Sequence, residues 1–143
     1  MSHVEGSITI NAPALAIQEA LNDVEHANKW ATHLEKVWDV KGRGAGCSYK
    51  WRYSQKGIGF NGETKILEST PGRFIMTTTG GIPSTWTWTM LPLPRGGTEL
   101  RLSIEYSVPG SIFGKIADRI VIERQNQRDL KDGLSGLKTL LEK

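Results

Sequence analysis

The sequence is poor in cysteine, with Cys47 alone among 143 residues, so no internal disulfide can form. A chain without disulfides is typical of a reducing compartment. No apolar run approaches the roughly 20 residues that a membrane-spanning helix needs. The start of the chain, Met1 to Glu5, lacks the basic and apolar regions of a signal peptide. We therefore expect a cytoplasmic protein without stable membrane insertion.

Motifs for metals, nucleotides and nucleic acids are missing as well. His3, His26 and His33 have no cysteine or carboxylate neighbour at a metal-ligand spacing, although His33 could lie at a cavity mouth. The stretch Gly42–Gly46 contains GxGxG, but no Walker lysine follows, and a hairpin turn explains it better. The net charge of +3 is spread along the chain without a basic run. We expect no metal, no cofactor and no nucleic-acid partner.

The clearest positive signal is the last stretch, Ser111 to Lys143, which predicts one long amphipathic helix. Pro109-Gly110 break the preceding strand, and Ser111 is a good N-cap. An apolar stripe recurs at helical spacing through Ile112, Ile116, Ile120, Leu130, Leu134, Leu137 and Leu141. The middle of the stripe is polar, with Glu123 and Gln127 on it and Arg119 at its edge. A polar middle suggests that the surface under the helix is hollow or open there.

The rest of the chain predicts the surface on which that helix lies. A strand over Val4–Ile10 precedes two short helices, the first over Pro13–Asn22 with Asn11 as a cap and the second over Val24–Ala31. From Glu35 to Tyr106 the apolar period is two, and short turns divide this region into six strands. Strands joined by short turns pair as an antiparallel meander. We expect an α+β fold of one domain over residues 1–143, in which about seven strands (β-α-α-β6-α) wrap around the long C-terminal helix.

The inward face of the predicted sheet is unusually rich in large rings. These are Tyr49, Trp51, Tyr53, Phe60, Phe74, Trp86, Trp88 and Tyr106. A tightly packed core normally uses more Leu, Ile and Val. A face of Tyr, Trp, Thr and Met fits the wall of a ligand cavity better. The alternative is that the rings simply fill a core.

Several short motifs, in this order, resemble those of a known superfamily. They are Ile8-Thr-Ile-Asn-Ala-Pro13 followed by Ile17 and Leu21, the Asp23–Trp30 segment, Glu68-Ser-Thr-Pro-Gly-Arg73, Gly96-Gly-Thr98, Tyr106-Ser-Val-Pro109 and Gly133-Leu-Ser-Gly-Leu-Lys138. The chain resembles the START-like (SRPBCC) superfamily with its helix-grip fold, and within it the polyketide cyclase/dehydrase and lipid-transport branch. The resemblance implies a deep cavity between sheet and helix that holds an apolar or amphipathic small molecule. It does not imply one reaction, because fold does not settle function.

Our first interpretation is a protein that binds or carries a lipid, quinone or polyketide, as a monomer or homodimer. The alternative is a cyclase, aromatase or dehydratase that uses the same cavity, with Glu123 as the candidate acid or base and Tyr49, Tyr53 and Tyr106 beside it. Arg119 and Glu123 equally form a plausible surface ion pair. A protein-interaction module is disfavoured because no exposed apolar patch is evident. The candidate ligand-binding residues are Trp30, Tyr49, Trp51, Tyr53, Phe60, Thr64, Phe74, Met76, Thr78, Trp86, Trp88, Ile104, Tyr106, Ile116, Arg119, Ile120, Glu123 and Gln127.

Overall fold

The computed structural model describes residues 2–55, 58–80, 83–107 and 116–142, without the side chains of residues 55, 58, 60 and 116–122. The elements follow the order β1 (Ser2–Ile10), α1 (Ala14–Asn22), a 3₁₀ helix (Val24–Lys29), β2 (Leu34–Lys41), β3 (Ser48–Gln55), β4 (Ile58–Ser69), β5 (Arg73–Thr79), β6 (Ser84–Pro92), β7 (Thr98–Tyr106) and α2 (Ile116–Leu141). The predicted helix start at Ser111 lies outside the described residues.

Within the described ranges, seven strands form one antiparallel sheet in the order β1-β7-β6-β5-β4-β3-β2. The six consecutive strands β2 to β7 pair with their neighbours in sequence, as short turns require. Strand β1 stands at one end of this order and pairs with β7, from Ser2 opposite Tyr106 to Ile10 opposite Thr98. The curled sheet and the long C-terminal helix confirm the predicted α+β, helix-grip fold.

Each of the two short helices differs from its predicted bounds at one end, while the predicted end at Asn22 and the predicted start at Val24 are confirmed. The predicted cap Asn11 is wrong, because Pro13 holds the N-cap position and its carbonyl accepts the first hydrogen bonds of α1. The backbone N–H of Asn11 donates instead to the carboxylate of Glu142, at 2.8 Å. The second helix is a 3₁₀ helix that ends at Lys29, before the predicted Ala31.

Helix α2 packs on β1 and β7 through one apolar face. Leu130, Leu134 and Leu137 are buried on that face, and α2 contacts both strands. Gly6 lies opposite this face, and a Cβ atom there would come within 2.8 Å of Leu130 Cδ2. Because each fully buried leucine contributes about 1.5–3 kcal/mol, this face fixes the helix on the sheet.

A second face of α2 carries small residues that let the segment after the 3₁₀ helix approach closely. A Cβ atom at Gly136 would overlap the backbone carbonyl of Trp30. At Gly133 it would meet Trp88 at 3.2 Å and Trp30 at 3.9 Å. The two glycines therefore let Trp30 pack between α2 and the sheet, in the lining of the cavity described next.

Candidate ligand-binding cavity

A cavity of about 340 Å³ lies between the segment 27–34, the inner face of β3 to β6, and α2. This volume falls in the range of about 300–1,000 Å³ that is usual for small-molecule sites. The lining comprises Ala27, Trp30, Ala31, Thr32, His33, Leu34, Tyr49, Trp51, Tyr53, Thr64, Met76, Thr78, Gly80, Ser84, Trp86, Gln125, Asn126, Asp129, Asp132 and Gly133. Most of its surface is apolar, so it suits a ligand with a large apolar body.

The sheet side of the cavity is a wall of rings whose polar tips are mostly bonded within the protein. Trp51 Nε1 donates to Thr64 Oγ1 at 2.9 Å, and Trp86 Nε1 donates to Ser84 Oγ at 3.0 Å. Bonded in this way, the indoles offer mainly their apolar surface to a ligand. The Thr78 hydroxyl on the sheet side and Trp30 Nε1 on the segment 27–34 are exceptions, because both atoms are buried without a hydrogen-bond partner among the described residues.

The helix side of the cavity carries a polar cluster centred on Asp129. The Tyr53 hydroxyl and Gln125 Nε2 both donate to Asp129 Oδ1, each at 2.9 Å. Tyr53 comes from β3, whereas Gln125 and Asp129 are one turn apart on α2. The cluster thus joins helix and sheet across the cavity.

The cluster holds its protons more firmly than the same groups do in water. Burial raises the pKa of Asp129, and the nearby Asp132 carboxylate raises it further, while the hydrogen bonds from Tyr53 and Gln125 act in the opposite direction. Burial and the neighbouring Asp129 also raise the pKa of Tyr53. At neutral pH Tyr53 is therefore a neutral phenol that donates to a carboxylate with an elevated pKa.

Two further titratable groups line the space at either side of Tyr53. Burial raises the pKa of Tyr49 to about 12, so this phenol is also neutral. His33 Nε2 lies 3.6 Å from Asp132 Oδ2, and both side chains are partly exposed. The His33 ring lies 5.7 Å from that of Tyr53, centre to centre. His33 is therefore in the lining at a side that water reaches.

The structure brings eight of the predicted site residues together in the lining. They are Trp30, Tyr49, Trp51, Tyr53, Thr64, Met76, Thr78 and Trp86. All but Trp30 lie on neighbouring strands of the sheet, where the period of two turns their side chains to one face. Their contact with a ligand stays a prediction.

Four other predicted residues are buried away from the lining, in the packed core. They are Phe74, Trp88, Ile104 and Tyr106. For these positions the alternative of a filled core fits better. Trp88 still supports the wall, because its ring meets Trp30 edge to face at 5.5 Å and Trp86 at 6.1 Å.

Glu123 and Gln127 do not line the cavity, which corrects their predicted placement. Both side chains are exposed. They share the stripe of Leu130 and Leu134, which faces β1, whereas the cavity lies under the adjacent face. The side chains of Phe60, Ile116, Arg119 and Ile120 lie outside the described part of the chain.

The polar residues that do line the helix side were missed in the sequence. They are Gln125, Asn126, Asp129 and Asp132. The signal that would have found them is Gly133-Leu-Ser-Gly136, because small residues mark the helix face that approaches another element closely. Asp129 lies one turn before Gly133 on that face.

The sequence of the chain matches a known protein family over almost its whole length. A family model described as polyketide cyclase / dehydrase and lipid transport matches residues 1–142. The chain belongs to this family. No curated protein sequence matches the chain significantly.

Solved structures of similar fold include members of the START superfamily and aromatase/cyclases. The Zhui aromatase/cyclase from Streptomyces sp. R1128 superposes with a TM-score of 0.81 at 20% identity, over 99% of this chain and 93% of that one. A START superfamily protein from Mycobacterium smegmatis gives 0.77 at 15% identity, over 98% and 97%. The di-domain ARO/CYC BexL from the BE-7585A biosynthetic pathway gives 0.79 at 20% identity, over 99% of this chain and 47% of that one. At these identities the likeness shows the fold alone, and the family model confirms the predicted polyketide cyclase/dehydrase and lipid-transport branch.

The described ranges contain neither a membrane-spanning helix nor a cluster of metal ligands. No helix there is long and apolar enough to cross a membrane. No group of three or more His, Cys, Asp or Glu side chains there is placed to hold a metal ion.

Proposed function

We propose that this family member binds one hydrophobic or amphipathic small molecule, such as a lipid, quinone or polyketide, in the cavity between α2 and the sheet. The observation that carries the proposal is the cavity itself, about 340 Å³ with a mainly apolar wall of rings. Apolar surface that a ligand buries there contributes about 25 cal/mol per Å², less the cost of immobilising the ligand.

The polar groups in the lining support orientation of the ligand as well as burial. Thr78 presents a buried hydroxyl without a partner among the described residues, and such groups are uncommon in folded proteins. Its oxygen is shielded from the open space, so a ligand oxygen would satisfy it after the Thr78 side chain turns toward the cavity. The Tyr53–Asp129 pair lies on the helix side and can meet a polar group at the other end of the same ligand.

A cavity-filling variant tests this function directly. Ala31 lines the cavity, and Ala31→Phe places a ring inside it. Ala45→Phe is the matched control, since Ala45 is exposed in the loop before β3. In a thermal-shift screen of quinones, polyketide-like phenols and lipids, a ligand at about 100 times its Kd stabilises the binding-competent protein by about 2.7 kcal/mol. We expect such a shift for wild type and Ala45→Phe and none for Ala31→Phe; equal shifts in all three would place binding elsewhere.

The second candidate function is cyclase or dehydratase chemistry in the same cavity, and the Asp129 cluster favours it. A carboxylate with an elevated pKa is a suitable base for a carbon flanked by two carbonyls. Once Asp129 has taken that proton, the Tyr53 hydroxyl can turn its single proton from Asp129 to the enolate oxygen. In this account Asp129 and Tyr53 take the role predicted for Glu123, which is exposed. Incubation with a poly-β-ketone, followed by absorbance of aromatic product, tests it. Loss of product in Asp129→Asn with ligand binding retained supports the enzyme, whereas unchanged product in that variant contradicts it.

We also propose that residues 1–143 act as one ligand-binding domain in the cytoplasm, as a monomer or homodimer without nucleic acid. Cys47 supports the reducing location, because this thiol is free and buried. Gel filtration with light scattering, with and without ligand, tests the oligomeric state.

A further inference from the structure

The charge of the cavity lining differs in sign from that of the whole chain. The chain carries a net charge of +3, yet none of the described lining residues is lysine or arginine, and two are aspartates. These are Asp129 and Asp132, both on the helix side. An anion entering the described lining would therefore meet carboxylates and no permanent cation.

The hydrogen bonds of Asp129 leave acceptor capacity on this carboxylate. Both of its donors, Tyr53 and Gln125, point at Oδ1. Oδ2 accepts no hydrogen bond from the described residues, although a carboxylate offers about four acceptor positions over its two oxygens. A partly buried carboxylate oxygen without a donor is stabilised by any donor that a ligand brings.

From this arrangement we infer that the cavity selects neutral or cationic aromatic compounds whose hydrogen-bond donor, a hydroxyl or an ammonium group, meets Asp129, and that it rejects carboxylate ligands such as free fatty acids. The inference rests on the proposed binding function. It narrows the class of ligand from any amphipathic molecule to molecules that carry no negative charge on the part that lies next to α2.

The environment of Asp129 points the same way. Burial and the Asp132 carboxylate raise the pKa of Asp129, against the hydrogen bonds from Tyr53 and Gln125 and the nearby His33, as expected where additional negative charge is disfavoured. His33 lies near Asp132, but the distance of 3.6 Å and its partial exposure make it a partner of Asp132 at the cavity edge. A carboxylate ligand beside Asp129 would be a second buried anion with no permanent cation in the described lining to pair with.

Four probes with one ring system separate charge from shape: 2-naphthol, 2-naphthylmethylamine, 2-methoxynaphthalene and 2-naphthoate. Trp30, Trp51 and Trp86 line the cavity, so quenching of tryptophan fluorescence reports binding, with calorimetry as a check. We expect the naphthol and the amine to bind at least about tenfold more tightly than the naphthoate, which equals about 1.4 kcal/mol. The methyl ether, which has no donor, falls between them.

Three variants test whether the Asp129 carboxylate causes the preference for the amine over the naphthoate. Asp129→Asn keeps an acceptor for Tyr53 and removes the charge, so the preference for the amine over the naphthoate shrinks to less than about threefold, since most of the charge term is gone. Asp132→Asn gives a smaller change in the same direction. Asp23→Asn is the control and gives no change, because Asp23 lies on the surface beside His26. Thermal unfolding of each variant without ligand confirms that it folds.

Two results overturn the inference in distinguishable ways. Naphthoate binding as tightly as naphthol and the amine would contradict the charge selection and leave the binding function intact. Failure of all four probes to quench or to release heat would contradict the binding function and this inference with it.

Discussion

The Tyr53 hydroxyl donates a 2.9 Å hydrogen bond to Asp129 Oδ1, across 76 positions of the chain. This bond joins β3 to α2 at the cavity. Tyr53 and Asp129 therefore contribute both to the stability of the contact between α2 and the sheet and to the chemistry of the cavity.

Tyr53→Phe removes the donor and leaves the ring in place. Because the acceptor is a largely buried carboxylate, we expect the free energy of unfolding to fall by about 1–3 kcal/mol. Urea denaturation measures the change. In an Asp129→Asn background the same substitution costs less, since the acceptor is then neutral. An unchanged urea midpoint in both backgrounds would show that the bond contributes nothing.

The pH dependence of stability reports on Asp129. Its pKa is raised in the folded protein, so the folded state binds this proton more tightly than the unfolded chain does. The resulting stability is fully present below the unfolded pKa of about 3.9 and is lost as the pH rises through the folded pKa. Asp129→Asn removes this dependence. We expect its stability, relative to wild type, to increase from about pH 4 to about pH 7; a constant difference in urea denaturation over that range would contradict the raised pKa.

The tyrosines provide a spectroscopic test of burial. Tyr49, Tyr53 and Tyr106 are the three tyrosines of the chain, and burial raises the pKa of each, that of Tyr49 to about 12. The folded protein should therefore form little tyrosinate near pH 10, where a free phenol is about half ionised. Ultraviolet difference absorbance during an alkaline titration measures this, with the protein unfolded in urea as the reference. Coincident titrations of the folded and unfolded protein would show that the phenols are accessible.

The substitution Gly136→Ala tests the close approach of α2 to Trp30. Alanine is favoured over glycine in a helix by about 1 kcal/mol, so a free helix surface would gain stability from Gly136→Ala. Here the new methyl group overlaps the Trp30 carbonyl, and we expect a net loss of about 1–3 kcal/mol from overpacking. Thr139→Ala, at an exposed position of the same helix, is the control and should be neutral or stabilising. A stabilised Gly136→Ala protein would mean that helix and 3₁₀ segment lie farther apart.

Much of the fold could be predicted because its elements carry strong local patterns. Along β7 the alternation of Leu100, Leu102 and Ile104 with Glu99 and Arg101 follows the observed burial residue by residue. The same alternation placed the rings of β3 and β6 on the inner face. A period of two leaves only two choices of face, so little tertiary information is needed.

The rotation of α2 could not be predicted in the same way. Its stripe of leucines marks the face that packs on β1, and extending that stripe led to Glu123 and Gln127. The cavity lies under the neighbouring face with Asp129, and that geometry depends on where Trp30 meets Gly136. Such a contact joins positions about 100 residues apart, and no local period encodes it.

The measurement that tests the central claim most directly is native mass spectrometry of the wild-type, Ala31→Phe and Ala45→Phe proteins, each titrated with 2-naphthol. A ligand held in the cavity predicts a complex of one molecule per chain for the wild type and for Ala45→Phe, and no complex for Ala31→Phe. Equal complex formation by all three proteins, or no complex with the wild type, would contradict the account.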